Sequence, residues 1–408
     1  MSITSKDPLQ DLKGFLKRQA GTFKTNILRN QLIFFALALT TQYHPIYLTA
    51  LGANPLTLGY LNALIGVIYT ATAIPAGVMA DKHGLKKVIM GTLLISILAT
   101  FLFGIADSWQ IASLGLLLIG LSTTLDMTTC PMICGSLLQP RERSTGMGIC
   151  DSLSFLPSLA APILAAALIT VLGGMNVEGI RPLFFLQIAI LLAAFVVMST
   201  RFENPPIQLG GRKSNPFKDL KFILTEGKYV KRWLVVTSLS YFPFQVLFYT
   251  PLFAAEVMGA DQFIVGGLGM ATSLVMVFLA IPMGHMADKY GKKNVIIASS
   301  LLVILSRVLL INAPNNMVIL LSGLLGGFIT SLTPSQTAIS ADLVPHEYLG
   351  SWFGIIGFFR GIMNIISPLI CGYVWEVYSP QSMFILLAAV QALHVLVVIT
   401  IPKDIEKR

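Results

Sequence analysis

Few ionisable side chains interrupt the long apolar runs of this sequence, and each one there needs a reason. Asp126 stands out. Ser122 lies four residues before it and Thr129 three after, so a helix carries all three on one face. A carboxylic acid in such a run is a candidate to take up and release a proton, or to hold a cation. The bland alternative is a structural acid satisfied by neighbouring hydroxyls or a basic residue. Arg360 lies well inside another run and must have a partner. That partner is either a protein carboxylate such as Asp126 or Asp151, or an anionic ligand; an internal pair is the favoured reading. Asp151 reads as a counter-ion for nearby basic loops. His44 is a second candidate for proton coupling, since imidazole titrates near neutral pH. Arg307, near the end of its run, reads as snorkelling to the interface. His394 carries less weight than His44. Cys130, Cys134, Cys150 and Cys371 all lie in apolar segments with no His or acid at ligand spacing, so they read as buried small residues rather than a metal site.

The elements that must position these groups follow from composition. The chain has 408 residues, of which 55% are hydrophobic and 12% charged. A soluble domain carries about 25% charged residues, so this one has too little polar surface to be a soluble globule. Apolar runs of spanning length fall at about 26–51, 55–80, 87–106, 109–138, 144–172, 181–200, 230–258, 262–287, 293–312, 315–343, 348–377 and 381–401. In lipid they must be helices, because open sheet edges would leave backbone groups unsatisfied. Pro75, Pro131, Pro162, Pro282, Pro334 and Pro368 mark expected bends. The first run is long enough to span, which predicts that it is not a cleaved signal peptide.

The formal net charge of +9 would suggest a nucleic-acid partner on a soluble protein. Here the basic residues separate the apolar runs. Lys6, Lys13, Lys17, Arg18, Lys24 and Arg29 precede or open the first; Lys82, Lys86 and Lys87 follow the second, and Arg141 and Arg143 follow the fourth. The central linker, the loop after the eighth run and the tail are basic too. All these segments fall on one side, whereas the other holds Arg181 among Asp107, Glu178, Glu256, Asp261 and Glu376. The positive-inside rule then places both termini in the cytoplasm of a multi-pass plasma-membrane protein, with the lipid bilayer and no nucleic acid as partner.

The sequence also repeats itself. The stretch 74–87 reappears at 281–293, each copy ending an apolar run with an acid, a glycine and a basic cluster. Leu51-Gly52-Ala53-Asn54 matches Met258-Gly259-Ala260-Asp261, and Pro140-Arg141-Glu142 matches Pro345-His346-Glu347. Asp7-Pro8-Leu9 resembles Asn215-Pro216-Phe217. Each of these opens a short amphipathic helix, with Leu9, Leu12, Phe15 and Leu16, or Phe217, Leu220, Ile223 and Leu224, on the apolar face. The expected organisation is a first six-helix bundle over 1–200 with its leading amphipathic helix, a cytoplasmic linker over 201–229, and a second six-helix bundle over 230–408.

Over nearly its whole length the chain resembles the major facilitator superfamily (MFS). The family's loop signature is Gly-x-x-x-Asp-Arg/Lys-x-Gly-Arg/Lys-Arg/Lys. Gly77, Asp81, Lys82, Gly84 and Lys86 match it, with Leu85 departing, and Gly284, Asp288, Lys289, Gly291, Lys292 and Lys293 match throughout. The resemblance implies an all-α integral membrane fold, with twelve transmembrane helices in two pseudo-symmetric six-helix bundles. It also implies that the loop acids gate the side facing the cytoplasm, and that spans one, four, seven and ten line a central cavity. Gln42, Thr123, Tyr241, Gln245, Tyr249, Gln336 and Arg360 are then the candidate substrate contacts. Two family patterns are incomplete here. The arginine that many proton-coupled members carry four residues before a glycine in span four is replaced by Leu116. The glycines of the antiporter signature in span five are alanines around Pro162.

The function implied is a secondary transporter working by alternating access. The first expectation is proton-coupled export of small amphiphilic or apolar compounds, and the rival is uptake of a small organic anion by a symporter or uniporter. A membrane sensor on the same fold is remote. An enzyme is not expected, for want of a nucleophile motif, metal set or phosphate loop. The expected partners are a small-molecule substrate and a proton or sodium ion; no cofactor and no metal are expected, and the protein reads as a monomer.

Overall fold

The computed structural model describes residues 17, 21–138, 143–204, 229–344 and 348–402. The two amphipathic segments, most of the linker, and the Pro140 and Pro345 repeats lie outside the described residues. So do the side chains of Gly77, Asp81, Lys82, Thr128, Cys130, Cys134 and Asp288.

The described elements are all helices, and they follow the apolar runs. α1 is Gly21–Thr40, continued as His44–Ala50; α2 is Pro55–His83, α3 Leu85–Ile105 and α4 Trp109–Leu137. α5 is Arg143–Phe155 continued as Ala161–Val171, and α6 is Val177–Arg201. α7 is Val230–Leu239 continued as Val246–Glu256; α8 runs from Gln262–Leu274 into Ala280–Tyr290; α9 is Lys292–Ile311. α10 is Asn316–Gly326 continued as Phe328–Asp342, α11 is Leu349–Val377 and α12 Pro380–Ile399. Among the described residues nine of these stretches are long and apolar enough to cross a membrane. α1, α2 and α7 complete the series. α1 carries Lys24 and Arg29, and α7 is divided by a 3-10 turn at Phe242–Gln245.

The prolines lie both inside helices and beside breaks between helical segments. Pro75, Pro334 and Pro368 sit inside helices. The 3-10 turns fall at Thr41–Tyr43, Leu156–Leu159 and Phe242–Gln245, beside Pro45, Pro157 and Pro243. A π turn, Val275–Leu279, precedes Pro282. A proline inside a long helix can leave its freed carbonyl to neighbours, whereas one at the first turn of a new segment suits its missing N–H.

The sequence repeat is a backbone repeat. Gly84 and Gly291 have φ of 81° and 94°, the left-handed region open to glycine at little cost. Each turns the chain from one helix directly into the next. Asn54 and Asp261 both cap the helix that follows, accepting from the Thr57 and Ile264 amides at 2.8 and 2.9 Å. Lys86 and Lys293, equivalent in the repeat, both reach the end of the last helix of their half. Lys86 Nζ donates to Ser199 O (2.9 Å) and Lys293 Nζ to Ile399 O (2.9 Å) and Ile401 O. A cation there offsets the negative end of the helix dipole. Gly291→Ala and Gly84→Ala are each expected to lower unfolding stability by about 1–2 kcal/mol through the left-handed φ. Gly284→Ala should be neutral, since nothing lies within 4 Å of a Cβ there. Thermal unfolding of the three variants in detergent checks both.

The chain forms two compact units. Unit 1 comprises 1–41, 71–161 and 181–211; unit 2 comprises 42–70, 162–180 and 212–408. Unit 2 therefore holds the last six spans together with the far ends of α1, α2 and α5, the ends opposite the Gly84 and Gly291 turns. Its internal contacts are close. Tyr43 Oη donates to Gln262 O (3.1 Å), Gln262 Nε2 to Thr170 Oγ1 (2.7 Å) and Tyr249 Oη to Pro55 O (3.3 Å). A Cβ on Gly59 or Gly66 of α2 would stand 2.6 Å from the carbonyl oxygen of Pro368 or Asn364 in α11. Small residues thus let these helices meet backbone to backbone.

One sequence expectation is corrected here. Arg307 does not snorkel. It is fully buried, with Nη1 donating to Leu387 O (3.3 Å) and Nη2 to Pro243 O (3.4 Å). It ties α9 to α12 and to the break in α7, so carbonyls of neighbouring helices satisfy it where lipid headgroups were expected to.

Candidate functional site

Unit 1 holds the first cluster. Asp126 forms an ion pair with Arg29 of α1, whose side chain is 0% exposed. Arg29 Nη1 also donates to Asn26 Oδ1 (3.3 Å) and Asn30 Oδ1 (3.1 Å). Asn26, Arg29 and Asn30 stand at i, i+3 and i+4, one polar stripe on an apolar helix. That stripe was the signal by which sequence reading could have placed Arg29 inside the bundle rather than among the loop cations. Arg29 lies eight residues into its helix, about 12 Å along the axis. Asp126 is therefore the acid of an Arg–Asp pair, and its partner is Arg29 and not Arg360. Ser122 and Thr129, the neighbours on its face, return their hydroxyls to Ile119 O and Leu125 O of their own helix. Thr123 is exposed and donates to Ile119 O. Asp151 is exposed on α5.

Unit 2 holds the second. The Arg360 guanidinium lies over the Tyr241 ring, 4.7 Å from its centroid, and Nη2 donates to Gln336 Oε1 at 3.4 Å. Tyr241 stacks on Phe244 at 5.0 Å. Tyr69 of α2 lies within electrostatic reach of both Arg360 and Tyr241. Gln336 is buried; its oxygen also accepts from Ser240 Oγ (3.1 Å) and its nitrogen faces His394 Nε2 (3.4 Å). His394 Nδ1 in turn meets Ser300 Oγ and the Gln391 amide, both at 3.3 Å. Among the described residues no carboxylate lies within 4.0 Å of Arg360. The sequence favoured an internal carboxylate pair for Arg360; the geometry gives it an amide and an aromatic ring. The sequence also ranked His394 low, yet it ends a polar chain that starts at Arg360. Its signal was Gln391 and His394 at i and i+3 on one apolar helix.

The remaining candidates separate. Gln42 packs its side chain on Gly269 of α8, where a Cβ would stand 2.7 Å from Gln42 Cγ. Tyr249 is fully buried among Phe248 and Trp375 and belongs to the packing at the far end. His44 is buried at the start of the second part of α1, and Gln245 is half-buried at the end of the α7 turn. Lys289 lies over the Tyr290 ring, and Lys292 pairs with Asp342 at 2.6 Å. On the far side Arg181 pairs with Asp107 at 2.8 Å.

Residues 28–281 and 259–408 match the model of the Major Facilitator Superfamily. The chain belongs to the Major Facilitator Superfamily. It is a multi-pass membrane transporter. It is 26% identical over 378 residues to multidrug resistance protein MdtG of Yersinia enterocolitica, covering 87% of this chain and 86% of that one. It is 23% identical over 356 residues to multidrug resistance protein 2 of Bacillus subtilis, covering 84% and 86%. The crystal structure of nucleoside transporter NupG superposes with a TM-score of 0.73 at 15% identity, over 93% of this chain and 98% of that one.

Proposed function

We propose that this protein is a proton-driven exporter of small amphiphilic or apolar compounds. The observation that carries the reading is similarity, over more than four fifths of the chain, to two proteins named for multidrug resistance. The Asp126–Arg29 pair supports it. A proton on Asp126 removes the negative charge that holds Arg29 and loosens α1 from α4; its loss restores the clamp. A guanidinium at the carboxylate disfavours sodium there, so the coupling ion is a proton. Two bundles, 1–200 and 230–408, joined by the linker 201–229, would alternate access in the plasma membrane, with both termini in the cytoplasm beside the basic loops. The loop acids Asp81 and Asp288 gate that side, and the working unit is a monomer. Compounds enter the second bundle against Tyr241, Gln336 and Arg360.

The test is dye efflux by proteoliposomes under an imposed pH gradient. Efflux should follow the gradient and stop when an ionophore collapses it. Efflux that persists without the gradient, or follows sodium instead, refutes proton coupling. Accumulation of substrate in place of extrusion would favour the uptake reading.

A further inference from the structure

We propose that Arg360 is the anchor for a carboxylate on the transported compound, so that the substrates of the export pathway are aromatic or amphiphilic monoacids. This rests on the export reading and names its substrate class. Arg29, Arg307 and Arg360 lie inside described helices, and the protein treats them differently. Arg29 has Asp126 and two asparagine oxygens. Arg307 has two carbonyls and is fully enclosed, so no ligand can reach it. Arg360 is half-buried, and it donates to the Gln336 amide oxygen at a long 3.4 Å. Its Nε is buried without a hydrogen-bond partner. A guanidinium has five N–H donors and no acceptor, so most of its capacity is unspent.

The protein cannot supply more from Gln336. That amide must turn its oxygen to Arg360, because a guanidinium only donates. The same oxygen already accepts from Ser240, and the nitrogen is then committed to His394, itself held by Ser300 and Gln391. Gln336 is a positioning residue, locked by the chain that ends at His394. The remaining guanidinium edge fits a planar carboxylate through paired N–H donors. Tyr241, with Tyr69 nearby, offers ring faces to an aromatic body attached to that carboxylate. A cationic compound would meet an unneutralised positive charge. An anion leaving the cell also moves with an inside-negative membrane potential.

The test uses the full chain in lipid nanodiscs and two isosteric probes, naphthoate and its neutral amide, with affinity read by calorimetry. The carboxylate is expected to bind at least about tenfold more tightly, as one charge-assisted pair implies. Arg360→Gln should erase that preference, and Arg360→Lys, which keeps the charge and loses the fork, should retain part of it. Equal affinity of the two probes for the unaltered protein, no binding of either, or a preference that survives Arg360→Gln overturns the proposal. The comparison on the unaltered protein decides even if a variant fails to fold. Dye efflux under a pH gradient, run in parallel with an uncharged dye, separates the two readings. Intact efflux without anion preference removes this inference alone; anion preference without efflux removes the export reading alone.

Discussion

Asp126→Asn is expected to abolish gradient-driven efflux and to destabilise the protein at the same time. The substitution takes the Asp126 carboxylate away from the fully buried Arg29 guanidinium. Breaking one side of a buried ion pair costs about 3–5 kcal/mol, because the remaining charge stays desolvated. Stability and transport can be separated by also removing the arginine. The pair Arg29→Gln with Asp126→Asn removes both charges of the pair together and should recover most of the lost thermal stability. It should not recover efflux, since the Asp126 carboxylate that takes up the proton is gone. Thermal unfolding and efflux measured for the two single variants and the double complete the cycle. An Asp126→Asn protein that melts like the original would mean the pair contributes nothing to the fold. A double variant that pumps against a gradient would remove Asp126 from the coupling reaction.

Gly66→Leu is expected to slow transport by about tenfold to a hundredfold while leaving the protein folded. A Cβ there meets the carbonyl oxygen of Asn364 at 2.6 Å and its carbonyl carbon at 2.8 Å. Both are backbone atoms of α11, so they cannot swing aside as a side chain could. The overpacking penalty of about 1–3 kcal/mol falls on the form in which α2 and α11 touch, and spares a form in which they part. A cysteine at position 364 should therefore label faster with a membrane-impermeant maleimide in the Gly66→Leu background. Gly91→Leu is the control, because nothing lies within 4 Å of a Cβ at Gly91. Transport at the original rate in Gly66→Leu would show that this contact is not part of the cycle.

Much of the fold was written locally. Each described helix lies within a few residues of an apolar run, because a span needs only its own composition to partition into lipid and only its own backbone to satisfy its hydrogen bonds. The repeat was legible for a similar reason. Gly84 and Gly291 must adopt a left-handed φ between two helices, and Asn54 and Asp261 must cap the helix that follows. Lys86 and Lys293 could be matched by position, but their shared bond to the last helix of each half could not.

The charged sites were legible as residues and not as partners. Asp126 and Arg360 were both marked by their apolar surroundings. Their pairing was undecided because the partner of a buried charge lies on another helix, at a sequence distance that no periodicity encodes. Arg29 and Asp126 stand 97 positions apart (126 − 29) and meet through the packing of α1 against α4. Arg307 looked interfacial from its place near the end of α9, yet the side of the helix it occupies faces α7 and α12 and not lipid.

By itself, then, the sequence determined a duplicated set of membrane helices, the end at which its cations gather, and which side chains would be costly in lipid. Only the tertiary structure decided which of those costs the protein meets internally. It gave Arg29 a carboxylate and Arg307 two carbonyls, and it left the Arg360 guanidinium facing one amide and a ring. Helix formation depends on neighbours in the chain, whereas neutralising a buried charge depends on neighbours in space.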